Sequence, residues 1–290
     1  MNEKSEITLD LFEISEQNSK KLENHYKKIK KEYELETGGI FENFAEFIER
    51  NWAVSINLKQ SEINSFLISG VYRNMYGIID EDLKELRLAH DVDISREDAA
   101  QNRMGIYYEK RKIFEDPFKD SDRFIYAAFN TGGPGLKKYG DFCLIIHQKE
   151  VEMFCSCAFL KKESISYVSN DRLNIDRLKR DTADRKSIHF LAALKHAKKI
   201  VDTPEKEWPG MVCSEKSYIE AVTTEEISIG HIGTVRLSKD SYERYYNYLY
   251  RVYSSQLEES EKLYLRTFKD MLKLLGKNRI NKEIINDSGT

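Results

Sequence analysis

Within Ser217–Leu237, SYIEAVTTEEISIGHIGTVRL, a single carboxylate, Glu220, interrupts residues that otherwise make a strand. Strand alternation puts Tyr218, Glu220 and Val222 on one face and Ile219 and Ala221 on the other. Held in a cleft beside aromatics, such a carboxylate accepts hydrogen bonds from sugar hydroxyls and stabilises developing positive charge. On an edge strand it faces water. A second stretch, NTGGPGLKKYG (Asn130–Gly140), is too rich in glycine for regular structure. It reads as a long hairpin loop or as a place where backbone amides approach a ligand. Residues 176–201 carry eight Lys or Arg against three Asp and read as one basic helix, either a solvated face or a surface that attracts phosphates. His189 and His196 lie near one another on that helix and read as surface residues. Cys155 and Cys157 share a face of the apolar run VEMFCSCAFL, but no second Cys or His pair completes a tetrahedral zinc set. No metal is expected.

The bulk properties narrow the setting. The chain has 290 residues, enough for one large domain or two small ones, and 46 basic against 49 acidic side chains give a net charge of -3. That balance argues against gripping duplex DNA over the whole surface, so any nucleic-acid contact is local. The four cysteines are spaced unlike a disulfide framework and no charged-then-apolar leader opens the chain, so a reducing cytoplasm is expected. No apolar run reaches the roughly 20 residues that span a bilayer, so no membrane segment is expected.

The elements that must position Glu220 fall into three groups. Residues 1–60 read as helical: a lysine-rich helix with Leu22, Tyr26, Ile29 and Tyr33 at helical spacing, then Phe41, Phe44, Ala45, Ile48 and Trp52 on a second. A further helix is expected over SEINSFLISGVYRNMYG, with Gly70 weakening it. The core, 61–237, holds short apolar strands at Phe124–Phe129, Asp141–His147 and Val151–Leu160, then those around Glu220 and GTVRL. Residues 238–290 return to helix, with stripes at Tyr242, Tyr245, Tyr246, Leu249 and Tyr253 and at Tyr264, Phe268, Met271, Leu272 and Leu275, Gly276 as cap and a frayed INDSGT end. The stripes are core, or a base-stacking platform if exposed beside a positive groove. The class is α+β. No P-loop, dinucleotide fingerprint or nucleophile elbow is present.

Together, YIEAVTTEEISIGHIGTVRL, RFIYAAFNTGGPGLKKYGDFCLIIHQKEV and AFLKKESISYV resemble the ADP-ribosyltransferase superfamily of bacterial toxins and phage-defence effectors over roughly residues 100–237. The resemblance implies a split β-sandwich core with helical N- and C-terminal segments. It puts Glu220 in the place of the catalytic glutamate, and Glu163-Ser164 where some members carry Asp-Ser. It implies NAD as substrate, bound by Arg103 (preferred to Arg73 in VYRN), by Tyr108 or Tyr126 as the nicotinamide-stacking aromatic, and by Asn130. Tyr218 replaces the acid or amide of arginine-modifying members, which disfavours arginine as acceptor, and the basic 176–201 stretch turns the expectation to nucleic acid, RNA favoured, with Arg177, Lys179 and Arg180 binding it. A mono-ADP-ribosyltransferase of this kind implies an antitoxin or other inhibitory protein as partner. The alternatives are an NAD hydrolase, with water as acceptor, and a non-enzymatic protein-interaction module.

Overall fold

The computed structural model describes residues 8–90, 94–252 and 257–285. Asp10 opens the first helix by accepting the N–H groups of Phe12 and Glu13, and α1 (Leu11–Thr37) buries Leu22 and Tyr26. In α2 (Ile40–Asn51) the expected stripe of Phe41, Phe44, Ala45 and Ile48 is buried. The strand β1 (Ala53–Leu58) follows, buried at every residue. Helix α3 (Gln60–Ser69) stops at Gly70, whose φ of 79° is left-handed. The expected longer helix is therefore broken between Gly70 and Asn74, because Gly70 is a cap rather than an interior residue and β2 (Val71–Tyr72) is extended; helix resumes only at Met75. Three helices, α4 (Met75–His90), α5 (Arg96–Met104) and α6 (Tyr108–Glu115), lead into β3 (Ile125–Asn130) and β4 (Phe142–His147).

Two more expectations change in the centre. The strand expected over Val151–Leu160 begins as the end of a helix, α7 (Gln148–Val151), and only β5 (Ala158–Leu160) is extended. Cys155 is accordingly exposed and Cys157 buried. After the ribbon β6 (Val168–Ser169) and β7 (Arg172–Leu173), the basic stretch is not one helix. It divides into α8 (Ile175–Arg180), β8 (Thr182–Ala183) and α9 (Ile188–Ile200), since the pairing of β8 with β5 draws the backbone out of helix. His196 is buried on α9 against Phe44, not at the surface, and burial lowers its pKa to about 3. The chain closes with α10 (Trp208–Val212), β9 (Glu220–Thr223), β10 (Ile227–Ser228), β11 (Ile232–Ser238), α11 (Lys239–Val252), α12 (Glu259–Lys277) and β12 (Asn281–Ile285).

Eight strands form one sheet in the order β12-β11-β4-β1-β3-β9-β5-β8, antiparallel except for β12 beside β11. The pairs β10-β2 and β6-β7 are separate ribbons. The α+β class stands, and the ladder is continuous from end to end. It takes β1 from residues 1–60 and β12 from beyond 238, so all three expected segments share one sheet. Asn130–Gly140 is not a hairpin, because β1 lies between β3 and β4 and is antiparallel to both: the loop leaves β3 beside Ala53, reaches β4 beside Leu58 and so must run the length of β1.

The pleat then sorts the side chains. One face carries Phe129, Phe159 and Ala221 into the main core, beneath Trp52 and the apolar sides of α2 and α9. The other carries Tyr126, Ala158, Leu160 and Val222 into a smaller core with Phe114 of α6, Tyr167 and Leu178 of α8. Register places Glu220 on this second face, opposite Ala128 of β3 and Leu160 of β5. At the far end Tyr245 of α11 stacks on Phe268 of α12 with centroids 4.6 Å apart, and Phe268, Met271 and Leu275 are buried. Tyr246 of the first stripe is exposed, as is Tyr250 outside it, and Tyr253 lies outside the described residues. Gly276 is not the cap; α12 continues to Lys277 and Asn278 ends it. Ile285 completes β12, and the rest of INDSGT lies outside the described residues. Among the described residues, no helix is long and apolar enough to cross a membrane.

Candidate functional site

Glu220 is 3% exposed in the middle of the three-strand section β3-β9-β5, not on an edge. One residue holds it. Ser164, in the turn that follows β5, donates its backbone N–H to Oε2 at 2.6 Å and interacts through its hydroxyl as well. Burial pushes the Glu220 carboxyl above its ordinary pKa, while the Arg111 guanidinium and the Ser164 hydrogen bonds pull the other way without cancelling the effect. A carboxylate in a dry, singly anchored position is suited to act on a charge that develops beside it.

Arg111 comes from α6, which packs on this face through Phe114. Its Nη1 donates to Ser164 Oγ at 2.8 Å, and its guanidinium lies 3.7 Å from the centroid of the Tyr126 ring. Burial works against its charge, but Tyr126, Glu220 and Glu115 outweigh that and hold the proton more firmly than usual. Arg111 and Tyr126 are both half-buried, so the cluster meets solvent on their side. The Tyr126 hydroxyl donates at 2.7 Å to Glu115 Oε1, and Tyr76 donates at 2.7 Å to Oε2. Ser164 thus touches both the carboxylate and the cation.

On its other side Glu220 is lined by Tyr218, whose phenol is driven up by burial and by the Glu220 charge. Tyr218 is hydrogen-bonded to Tyr139, which donates to Glu163 Oε1 at 3.1 Å. Lys138 lies 4.7 Å from the Tyr139 ring centroid and 5.3 Å from that of Tyr218. Behind β9 the α9 residue Lys195 donates Nζ to the carbonyls of Lys161 and Tyr218. Burial lowers its pKa to about 7, and two carbonyl acceptors match the two N–H groups of a neutral amine. Lys195 ties the end of β5 to the entry of β9, the two segments that present Ser164 and Glu220.

The residues singled out from sequence divide clearly. Tyr126 joins Glu220 through Arg111. Arg103 does not join; it is on α5, 2.6 Å from Asp82 Oδ2. Arg73 pairs with Glu81. Tyr108 is buried among Ile79, Leu83 and Ala100 with its hydroxyl on Glu97, so the cation and aromatic beside Glu220 are Arg111 and Tyr126. Asn130 spends all four of its hydrogen-bonding valences at home: Nδ2 on Ser55 Oγ and the Gly133 carbonyl, Oδ1 on the amides of Gly132 and Gly133. It shapes the loop and has no polar capacity left for a ligand. Asn57 braces the loop further along with three bonds, Nδ2 to the carbonyls of Pro134 and Gly140 and Oδ1 from the amide of Leu136. A Cβ at Gly140 would lie 2.0 Å from the Leu58 carbonyl carbon, so the glycine there serves close packing on β1. Arg177 is 3.6 Å from Asp181, reaches the Ser166 carbonyl and lies over Tyr167, whose phenol feels the Glu220 charge; Lys179 and Arg180 are exposed on the same short helix.

Sequence reasoning missed Arg111, Glu115 and Lys195. The available signal was Arg111, Phe114 and Glu115 at i, i+3 and i+4, which puts two charges on the same helix face as a core phenylalanine. Among the described residues, no group of three or more His, Cys, Asp or Glu is disposed to hold a metal ion.

Fold and site together define an α+β protein with a buried glutamate, a bridging serine and a stacked arginine on one face of a long sheet. No protein-family model matches the chain, and a search of curated proteins finds no match.

Proposed function

We propose that the chain is an NAD-dependent mono-ADP-ribosyltransferase with Glu220 as its catalytic residue, acting as a toxin or phage-defence effector on nucleic acid, RNA in preference to DNA. The observation that carries the reading is the buried Glu220 carboxylate joined through Ser164 to Arg111, with the guanidinium stacked on Tyr126. In this chemistry the bond from the ribose anomeric carbon to the nicotinamide nitrogen breaks, and its electron pair leaves with nicotinamide. An acceptor oxygen or nitrogen then bonds to the anomeric carbon and gives up its proton. Glu220 accepts a hydrogen bond from a ribose hydroxyl and stabilises the positive charge on the ring as the leaving group departs. Arg111 supplies the cation for the anionic part of the dinucleotide, and Tyr126 an aromatic wall. The basic end of α8, next to the turn that carries Ser164, supports a polyanionic acceptor.

The test is incubation of the full chain with NAD labelled in the adenylate moiety and a cell extract, followed by separate nuclease and protease digestion. Label that nuclease releases and protease does not is the expected result, with Glu220→Gln lowering transfer by about 10²–10³-fold. Label recovered only as free ADP-ribose makes the protein an NAD hydrolase. No nicotinamide release under any condition removes the enzymatic reading. Expression in bacteria gives the matching cellular result: growth arrest by the native chain, relieved by Glu220→Gln.

A further inference from the structure

A cavity of about 250 Å³ opens where the loop before β4 meets the start of α3 and the α12 residue Tyr264. Lys59, Lys137 and Lys138 line it, together with Gln60, Tyr139 and Asp141. The lysines lie beside Asp141, which already accepts the Ser241 hydroxyl at 2.8 Å, and Glu163 and Glu215 act on Lys138 from outside the cavity. The positive end of α3 also borders the cavity, but Glu62 occupies the Lys59 N–H at 2.8 Å, so the lysines and not the helix end set the local field. The loop that carries Lys137 and Lys138 is fixed in advance, because Asn57 binds the Leu136 amide at 2.8 Å and the Gly140 carbonyl at 3.0 Å. Preorganised cations around a small cavity suit a compact group with more than one negative charge.

The cavity is joined to Glu220 by a chain of side chains. Tyr139 lines it and contacts Tyr218, and Tyr218 sits beside Glu220. Lys138 spans both rings. From this geometry we infer that the cavity is a phosphate subsite, which holds the phosphate groups of a nucleotide while the sugar lies across Tyr139 and Tyr218 toward Glu220. The inference rests on the nucleotide chemistry proposed for Glu220, and it adds lysines to the single cation, Arg111, that the Glu220 cluster supplies for the phosphates. Two sources carry this group: the diphosphate of the dinucleotide, and the backbone of a single-stranded acceptor.

The experiment is calorimetric titration of the full chain with ADP, with adenosine and with a ten-nucleotide single-stranded RNA, repeated on Lys59→Gln/Lys137→Gln and on Lys59→Arg/Lys137→Arg. The glutamine pair is expected to weaken ADP at least tenfold and adenosine less than twofold, while the arginine pair keeps ADP within threefold. Weakening of RNA alone still supports the subsite and assigns its phosphates to the acceptor. ADP and RNA affinities within twofold of wild type in the glutamine pair overturn it, as does a wild-type chain that binds neither. Nicotinamide release from NAD is read separately. A chain that binds ADP through these lysines yet releases no nicotinamide loses the transferase reading and keeps the subsite; one that releases nicotinamide with ADP binding unmoved by the glutamine pair does the opposite.

Discussion

Glu115 and Glu220 are both buried carboxylates beside the Arg111 guanidinium, at 4% and 3% exposure, yet their surroundings differ in kind. Glu115 is closed off: each oxygen takes a phenol, from Tyr126 and from Tyr76. Glu220 is anchored by Ser164 alone and borders Tyr218 and the loop that carries Lys138. Burial raises both carboxyls, so desolvation does not distinguish them. What distinguishes them is which neighbours can be exchanged. Phenols that wall in an anion form a structural node, whereas a carboxylate gripped from one side retains a side on which a substrate can bring its own donor. The shared arginine gives both a counter-charge and connects the stability of one region to the chemistry of the other.

The sharpest way to break this comparison is to remove what the two sites share. Arg111→Met leaves two carboxylates buried without their common cation, and such a loss costs about 3–5 kcal/mol. Denaturant unfolding should show a drop of that order along with loss of NAD cleavage; a stable, active variant means that Arg111 couples nothing. Next come the carboxylates singly. Glu115→Gln replaces the acceptor of one of two half-buried phenols with an N–H and is expected to cost about 1–3 kcal/mol, with NAD cleavage reduced only as far as folding is. Glu220→Gln is expected to invert that pattern, with chemistry lost and the midpoint nearly unchanged. Equal behaviour of the two variants would erase the distinction.

Protonation sharpens the same contrast. The folded state holds the Glu220 proton more tightly than the unfolded state, whose value is near 4.5. The stability Glu220 contributes is therefore complete below about pH 4.5 and is lost as pH rises through its raised folded value. Melting temperatures of Glu220→Gln relative to wild type should move in the variant's favour between pH 4.5 and pH 7.5. A difference that is flat with pH would mean that burial does not perturb this group. Lys195 has the opposite sign. Its folded pKa of about 7 lies below the unfolded 10.5, so its contribution is full above the unfolded value and disappears as pH falls through about 7. Lys195→Met should flatten the rise in stability between pH 7 and pH 9, and a slope identical to wild type would show that its amine is not neutral in the fold.

The two halves of the Glu220 cluster were unequally legible in the sequence. Glu220 itself stood out because a lone carboxylate in an apolar alternating run is conspicuous, and period-two alternation put Tyr218 and Val222 on its face. Tyr126 entered only through the resemblance, as one of two choices with Tyr108 for the stacking aromatic. Arg111 was not visible, since KRK in a charged helix looks like solvated surface until the sheet that covers it is known. Propensity also failed where pairing overrode it: β8 interrupts a stretch rich in helix formers because β5 offers it a partner, and β12 is short and polar and exists because β11 is beside it. Glycine gave mixed information. Gly70 and Gly140 hold positive φ or close packing at chain reversals, but sequence could not tell a loop that cradles a ligand from one whose amides are taken by Asn57 and Asn130.

The smallest expected effect separates acceptor from dinucleotide. Arg177 lies over Tyr167 and bonds the Ser166 carbonyl, so reversing its charge disturbs the turn that holds Glu220 and cannot report on the acceptor alone. Lys179 and Arg180 are exposed and near the end of the helix, which makes Lys179→Glu/Arg180→Glu the cleaner probe. Each phosphate left without its cation reduces the salt dependence of binding by a little under one power of the salt concentration, roughly 0.7 for a single strand, and weakens every sequence alike. Transfer to RNA should fall several-fold at low salt and converge on wild type as salt rises, while nicotinamide release without acceptor stays the same. Should acceptor-free release fall in parallel, α8 supports the Glu220 turn, and its charge is incidental. Should neither activity change while protease-sensitive material carries the label, the acceptor is a protein and the exposed end of α8 is a solvated face.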